Sequence, residues 1–295
     1  MGVKMKAYLD IVKNILETGE RKPTRSGMDI ISLPGSLFQH DMKEGFPMLT
    51  TKKVPFKLVA TELEFFIKGL TDKKWLQDRN NHIWDEWCNV DKVPWSNTED
   101  GKAKMAAERD LGPIYGFQWR HFNAPYENYD TDYTGKGVDQ LQNMIGMLKS
   151  DPNRKRIMMS AWNPIQMKQM ALPPCHFNAH TTVDNGKLNL IWSQRSVDTM
   201  LGLPFNITSY ALLLHLIAKE CGFKEGKLVG LLADTHIYAN HIEGAKEQLT
   251  RDPTKYKLPT LKTENFTSIF DWEYSDSKVE NYESYPRIPF EISVV

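Results

Sequence analysis

At 295 residues the chain is long enough for about two domains or one large α/β unit, and its 37 basic and 37 acidic residues cancel. Neutrality with no basic half excludes nucleic-acid binding through bulk charge, so an anionic ligand needs a local cluster of Lys and Arg. With 41% apolar, 11% aromatic and 25% charged residues, the composition excludes disordered and fibrous classes.

The longest apolar stretch, residues 212–218, contains His215 and falls short of the ~18 residues a membrane span needs. Residues 1–14 alternate Lys with apolar residues and lack a signal-peptide core, so a cytoplasmic, membrane-free protein is expected. Cys88, Cys175 and Cys221 are an odd number at spacings that suit neither a disulfide framework nor a zinc ribbon, which predicts reduced thiols.

In chain order, Tyr8, Leu9, Ile11, Val12, Ile15 and Leu16 recur at helical spacing over residues 6–17, with Gly19 as the stop. Residues 23–49, punctuated by Gly27, Gly35 and Gly45, read as two or three strands. A second helix over 56–68, closed by Gly69, carries Glu62 among apolar neighbours. Residues 89–110 and 123–137 read as polar surface excursions, the first with a short helix near 102–108. Leu141, Met144, Ile145 and Leu148 mark a helix over 138–148. Residues 157–162, 177–183 and 187–193 are strand-like, and Asn185-Gly186 predicts a hairpin between the last two. Residues 207–221 are apolar nearly all round, which predicts a buried helix, and 240–249 a more polar one. The order implies a mixed sheet covered by helices, without the regular alternation of a doubly wound fold.

Cys175 follows Leu172-Pro173-Pro174, a stiff approach that keeps the thiol out of a helix interior. A free cysteine is commonly buried and inert, but here it could also face a cleft. Consecutive strand residues point to opposite faces, so His176 is badly placed as its base and a Cys-His peptidase dyad is disfavoured; guanidinium groups would have to activate the thiol. Gln194-Arg195-Ser196-Val197-Asp198, at a strand end before Gly202-Leu203-Pro204-Phe205-Asn206, is either a polar turn or a phosphate cradle. Arg154-Lys155-Arg156 is a solvated strand end or a second clamp, and Arg25 a third candidate. His236 and Tyr238 share a face and form either a packed pair or a site for a ligand hydroxyl. His236 and His241, five apart, do not make a metal site. Glu62 is a surface-seeking carboxylate or a buried acid with raised pKa. Trp84, Trp87, Tyr115 and Trp119 are core aromatics or faces for a flat heterocycle.

Trp84-Asp85-Glu86-Trp87, Gly112-Pro113-Ile114-Tyr115-Gly116, Ser160-Ala161-Trp162-Asn163, Pro174-Cys175-His176, Gln194-Arg195-Ser196 with Asp198, residues 201–207, and Asp234-Thr235-His236 with Tyr238 together resemble the thymidylate synthase family. The likeness runs in order over nearly the whole chain. It implies one α/β catalytic domain over residues 1–295 of the α+β type, with a large mixed sheet and a homodimer of stacked sheets. It further implies reductive methylation of deoxyuridylate (dUMP) to dTMP with 5,10-methylenetetrahydrofolate as co-substrate, yielding dihydrofolate. No metal, nicotinamide or nucleic acid is required.

By that resemblance Cys175 is the nucleophile that adds to uracil C6, and Asn206 reads the pyrimidine edge and favours uracil. Arg25, Arg195, Ser196 and, from the other subunit, Lys155 and Arg156 grip the phosphate. His236 and Tyr238 bond the sugar hydroxyl, while His176 and Gln194 complete the substrate-binding set. Glu62 organises proton transfers, Tyr115 assists removal of the C5 proton, and Asp198 bonds the pterin. Trp84, Trp87 and the C-terminal Val295 line the folate site. The chain departs from the family pattern at Lys155 (commonly Arg), Gly69-Leu70-Thr71-Asp72, residues 177–180 with His180 at a common Gln position, Val197, and a slightly long tail over 288–295. The nearest rival is a dUMP hydroxymethylase, in which water captures the C5 methylene. An RNA-binding regulator is disfavoured by the absence of basic-aromatic interleaving, and a metallohydrolase by ligand spacing.

Overall fold

A computed structural model describes residues 5–24 and 27–291; Arg25 and Val295 lie outside the described residues. The chain opens with α1 (Lys6–Thr18), which buries Tyr8, Ile11, Val12 and Ile15 on the predicted face and ends where Gly19 N–H donates to Ile15 O. β1 (Glu20–Lys22) and the 12-residue β2 (Ile30–Asp41) follow. Residues 23–49 therefore hold one long strand instead of two or three, because the chain passes through Gly35, at positive φ, and resumes pairing. Then come α2 (Phe56–Ile67), α3 (Lys74–Gln77), α4 (Glu99–Ala107), α5 (Tyr115–His121) and α6 (Gln140–Ser150).

β3 (Met158–Ser160), β4 (His176–Asp184) and β5 (Lys187–Asp198) form a meander. The predicted Asn185-Gly186 turn has both residues at positive φ, the geometry a tight two-residue hairpin requires. α7 (Gly202–Cys221) starts five residues earlier than periodicity suggested; Pro204 falls in its first turn, where a missing N–H costs nothing. β6 (Lys224–Tyr238), at 15 residues, went unread as a strand beyond its last extended residues. After α8 (Ile242–Thr250), β7 (Thr260–Thr263) and β8 (Ser277–Glu280) pair as a small antiparallel ribbon that the sequence reading also missed.

The main sheet has the order β1-β2-β6-β5-β4-β3. Only β5 and β6 run parallel, joined by α7 as the crossover helix; the other pairs are antiparallel. α7 is apolar all round because β5 and β6 cover one side and α2 and α6 pack on others. Trp192 on β5 sits directly beside Gly230 on β6, and a Cβ at Gly230 would lie 2.5 Å from the indole, so only glycine admits this ring. Among the described residues the opposite face of the sheet has no helical cover and exposes Leu37, Leu231 and Met158, the first two direct cross-strand partners.

The two polar excursions are not merely superficial. Phe117, Ala124 and Tyr133 make a small second cluster with Tyr126 against it, so residues 123–137 carry their own aromatic core. Fully buried Asp110 joins the two segments: Oδ1 accepts from Gly112 N–H at 2.7 Å and Tyr126 O–H at 2.5 Å, and Oδ2 from Lys92 Nζ. The Thr71-Asp72 pair is their dock. Thr71 O accepts from Leu111 N–H and Asp72 is ion-paired with Arg109. Removing the Asp110 carboxylate leaves buried donors without an acceptor, so Asp110→Ala is expected to lower the unfolding free energy by about 2–4 kcal/mol in urea melts; an unchanged midpoint would show that the excursions are held by other contacts.

Candidate active site

Three strands deliver the candidate residues to one end of the sheet. Cys175 immediately precedes β4, residues 194–198 close β5, and His236 and Tyr238 close β6. Register makes them neighbours, with His176 opposite Gln194 and Asp198 beside His236. Ligands of α/β sheets gather at the carboxyl ends of parallel strands, which is where β5 and β6 end here. α7 begins four residues after Asp198 and brings Asn206 back to this point, while α2 contributes Glu62 and α5 its first residue, Tyr115.

The nucleophile candidate is fixed through its backbone. Cys175 N–H donates to the Tyr115 hydroxyl at 2.8 Å. Arg195 Nε and Nη2 donate to Pro174 O at 3.0 Å and Pro173 O at 2.8 Å, Arg195 N–H donates to Cys175 O at 2.9 Å, and Nη2 lies 3.9 Å from the sulfur. The prolines predicted to stiffen the approach thus also present two carbonyls that aim the guanidinium. Burial pushes the thiol above its ordinary pKa, and Arg195 with Tyr115 pulls against that rise. Among the described residues Nη1 of Arg195 makes no hydrogen bond, which leaves it for an external anion.

Behind the thiol stands a column of rings. Trp192 stacks on Tyr210 at 5.3 Å and 8°. The Tyr210 hydroxyl is 3.0 Å from His176 Nδ1, and the His176 ring lies 4.4 Å from Tyr115. His176 points into this column and not at the sulfur, as strand alternation predicts. Burial drives its pKa down to about 3, so it is a neutral support. Trp192 also donates Nε1–H to Gln194 Oε1 at 3.2 Å, and Gln194 Nε2 donates to Asn206 Oδ1 at 3.0 Å and Ser196 O at 3.0 Å. That bond orients the Asn206 amide with its NH2 group directed away from Gln194.

Glu62 accepts the Trp84 indole N–H at 2.8 Å. Burial pushes its carboxyl up to about 7, with the Trp84 bond opposing. Tyr115 is held well above its ordinary value, first by burial and then by the neighbouring Cys175 thiolate; Glu62 adds to the rise, which puts all three in one electrostatic field. Asp198 Oδ1 accepts Met200 N–H at 3.1 Å and Leu201 N–H at 3.0 Å, while among the described residues its Oδ2 accepts nothing. His236 and Tyr238 meet edge to face at 5.2 Å, and burial with Asp198 and Cys175 nearby raises the Tyr238 hydroxyl.

Some candidates are not brought together. Lys155 and Arg156 are exposed just before β3, where Met158 pairs with His180 and Ser160 with Asn178. They lie beyond the far end of that pairing, on the order of 20 Å along the strand from Cys175 of the same chain. Trp87 packs on the main core, and its carbonyl accepts from Lys73 Nζ. Sequence reasoning missed Lys52, a buried ammonium that donates to Met200 O and sits 4.8 Å from the Phe290 ring of the tail. Burial lowers its pKa to about 8, against the pull of Asp198. Nothing in Thr50-Thr51-Lys52-Lys53 signals this role. The tail itself is docked as far as Glu291, whose carbonyl accepts from His241 Nε2 at 2.7 Å. No cluster of three or more His, Cys, Asp or Glu suited to a metal occurs among the described residues, and no helix there is long and apolar enough to cross a membrane.

A thiol under a guanidinium, with a raised carboxyl and a phenol in its field, is an arrangement of the enzyme class able to carry out covalent nucleophilic catalysis. The profile of the family described as Thymidylate synthase matches residues 6–294. The chain is 43% identical over 287 residues to the bifunctional dihydrofolate reductase-thymidylate synthase of Paramecium tetraurelia and 41% over 293 residues to that of Zea mays. The matches cover 97% of this chain and 61% and 54% of those proteins. It is 42% identical over 295 residues to the thymidylate synthase of Agaricus bisporus, covering 97% of this chain and 98% of that protein. The chain belongs to the thymidylate synthase family. It spans little more than half the length of the bifunctional relatives.

The Glu62 carboxyl makes a pH prediction. The native state holds this proton up to about 7, whereas an unfolded glutamate releases it near 4.5, so the parent protein loses stability as pH rises through that window. Glu62→Gln is therefore expected to match the parent near pH 5 and exceed it by on the order of 1–2 kcal/mol at pH 8 in urea unfolding. A difference independent of pH would mean that the carboxyl is not perturbed.

Proposed function

We propose that this chain catalyses reductive methylation of dUMP to dTMP, with 5,10-methylenetetrahydrofolate as donor and dihydrofolate as the second product. The observation that carries the reading is Cys175 held by Tyr115 and Arg195 beside Asn206, in a chain of this family. The folate supplies the one-carbon unit and the hydride; the protein binds, orients and moves protons.

Arg195 couples substrate binding to the nucleophile. Nη1 is available to a phosphate while Nε holds Pro174 O and Nη2 holds Pro173 O and lies against the sulfur. With Ser196 it offers a cradle within one chain, to which the family resemblance adds Arg25. Lys155 and Arg156 are too far from their own Cys175 and would serve the site of a second copy. The uncovered sheet face, with Leu37, Leu231 and Met158 exposed, supports a homodimer of stacked sheets, since patches of this kind mark interaction sites.

The Cys175 thiolate forms a bond to C6, and the electron pair of the C5–C6 bond moves to C5, which can then attack the one-carbon unit. Asn206 presents NH2 to O4 and its oxygen to N3–H, and Gln194 fixes that orientation. Glu62, with a carboxyl near 7, can give or take the proton at O4 through water at neutral pH. Tyr115 stays a neutral phenol, so it assists loss of the C5 proton through its hydroxyl and not as a free phenolate. His236 and Tyr238 reach the sugar hydroxyl. The residues fit a folate: the Trp84 face is anchored by Glu62, and the open Oδ2 of Asp198 can accept from a pterin N–H. The free thiols Cys88, Cys175 and Cys221 suit a reducing compartment, and we place the enzyme in the cytoplasm.

Incubation of the purified protein with dUMP and methylenetetrahydrofolate should yield dTMP and dihydrofolate in equal amounts, and Cys175→Ser should lower turnover by at least about 10³-fold while leaving the fold intact. Hydroxymethyl-dUMP with tetrahydrofolate would replace this reading with water capture. Asn206→Asp is expected to shift preference toward the cytosine nucleotide by about tenfold or more in kcat/KM; unchanged preference would show that Asn206 does not read the base.

A further inference from the structure

The first polar excursion ends against the turn that carries Trp84, and two side chains at the ends of α3 make the join, one just before it and one at its last residue. Lys73, the residue before α3, has no exposed surface. Its Nζ donates to Trp87 O at 2.8 Å and Met105 O at 2.5 Å, with Asp85 O at 3.4 Å. One helical turn later, Gln77 Nε2 contacts Asp85 Oδ1 at 2.8 Å and Ala106 O at 3.0 Å. Both side chains therefore bridge the same two segments, Lys73 through the carbonyls of Asp85 and Trp87 and Gln77 through the Asp85 carboxylate on one side, and the end of α4 on the other.

The chemistry of each piece explains the arrangement. Met105 and Ala106 lie in the last turn of α4, whose carbonyls lack intrahelical partners and favour a cation. α4 buries only Gly101 and Met105, so these caps, more than an apolar face, hold it down. On the other side, Asp85 N–H donates to His82 O at 3.1 Å and Trp87 N–H to Trp84 O at 3.0 Å, two overlapping turns around Trp84. Their free carbonyls converge on the ammonium. Trp84 is consequently held at both ends, its indole by Glu62 and its backbone through Lys73.

We propose that Lys73 and Gln77 are positioning residues for the folate co-substrate, a clamp that uses the excursion helix as its anchor. The inference rests on the reading of Trp84 as a wall of the folate site. The nucleotide residues Arg195, Ser196 and Asn206 sit on β5 and α7, outside the clamp, so its loss falls on one substrate and not the other.

The test is steady-state kinetics for both substrates, with calorimetry of dUMP binding to the folate-free enzyme. Lys73→Met keeps the length of the side chain and removes the donors; it is expected to raise the KM for methylenetetrahydrofolate about tenfold, and Gln77→Leu about threefold, with dUMP affinity within about twofold. Gln77→Leu keeps the test alive if Lys73→Met does not fold. An equal weakening of both substrates, or no change in either variant while Trp84→Ala raises the folate KM, overturns the clamp. An unchanged folate KM in Trp84→Ala instead overturns the reading beneath it and leaves the clamp without its object.

Discussion

The site depends on where Trp192 is placed. Its ring fits only because the neighbouring strand offers Gly230, and once seated it does two things at once. Through Tyr210, His176 and Tyr115 it supports the backbone of Cys175; through Gln194 it sets the amide of Asn206. Cys175 and Asn206, the proposed nucleophile and base reader, are thus positioned from one fully buried indole. Side chains locked by packing and by hydrogen bonds behind them hold geometry better than side chains on free loops.

Burial and charge are set against each other throughout this cleft. The thiol, the Glu62 carboxyl, the Tyr115 and Tyr238 hydroxyls and the Lys52 ammonium are all pushed by desolvation toward their neutral forms. Arg195 is the counterweight that touches the sulfur. Groups whose pKa values are shifted into the working range can exchange protons readily. Lys52 extends the same field to the tail, since it bonds the loop after Asp198 and faces Phe290.

The two excursions show how polar sequence becomes structural. Asp110, Lys92, Tyr126, Asp72 and Arg109 interlock around residues 71–72. Lys73 and Gln77, immediately after this pair, turn the same surface toward Trp84. Charged residues here do the work that apolar side chains do in the main core, because each buried charge is matched by several hydrogen bonds.

Periodicity and turn chemistry were legible in the sequence: the faces of α1, α2 and α6, the Asn185-Gly186 hairpin, the buried character of α7, and the opposition of Cys175 and His176 all follow from local spacing. The ordered motifs identified the family and its candidate residues. β6 was not legible, because a strand interleaved with Lys, Glu and Gly between two sheet neighbours takes its stability from partners distant in sequence. The same holds for Lys52, Lys73 and the link from Trp192 to Cys175. Local spacing encodes which face of an element is apolar, whereas burial of a charge, the shift of a carboxyl to about 7 and the meeting of Arg195 with Cys175 are properties of surroundings that exist only once the chain has folded.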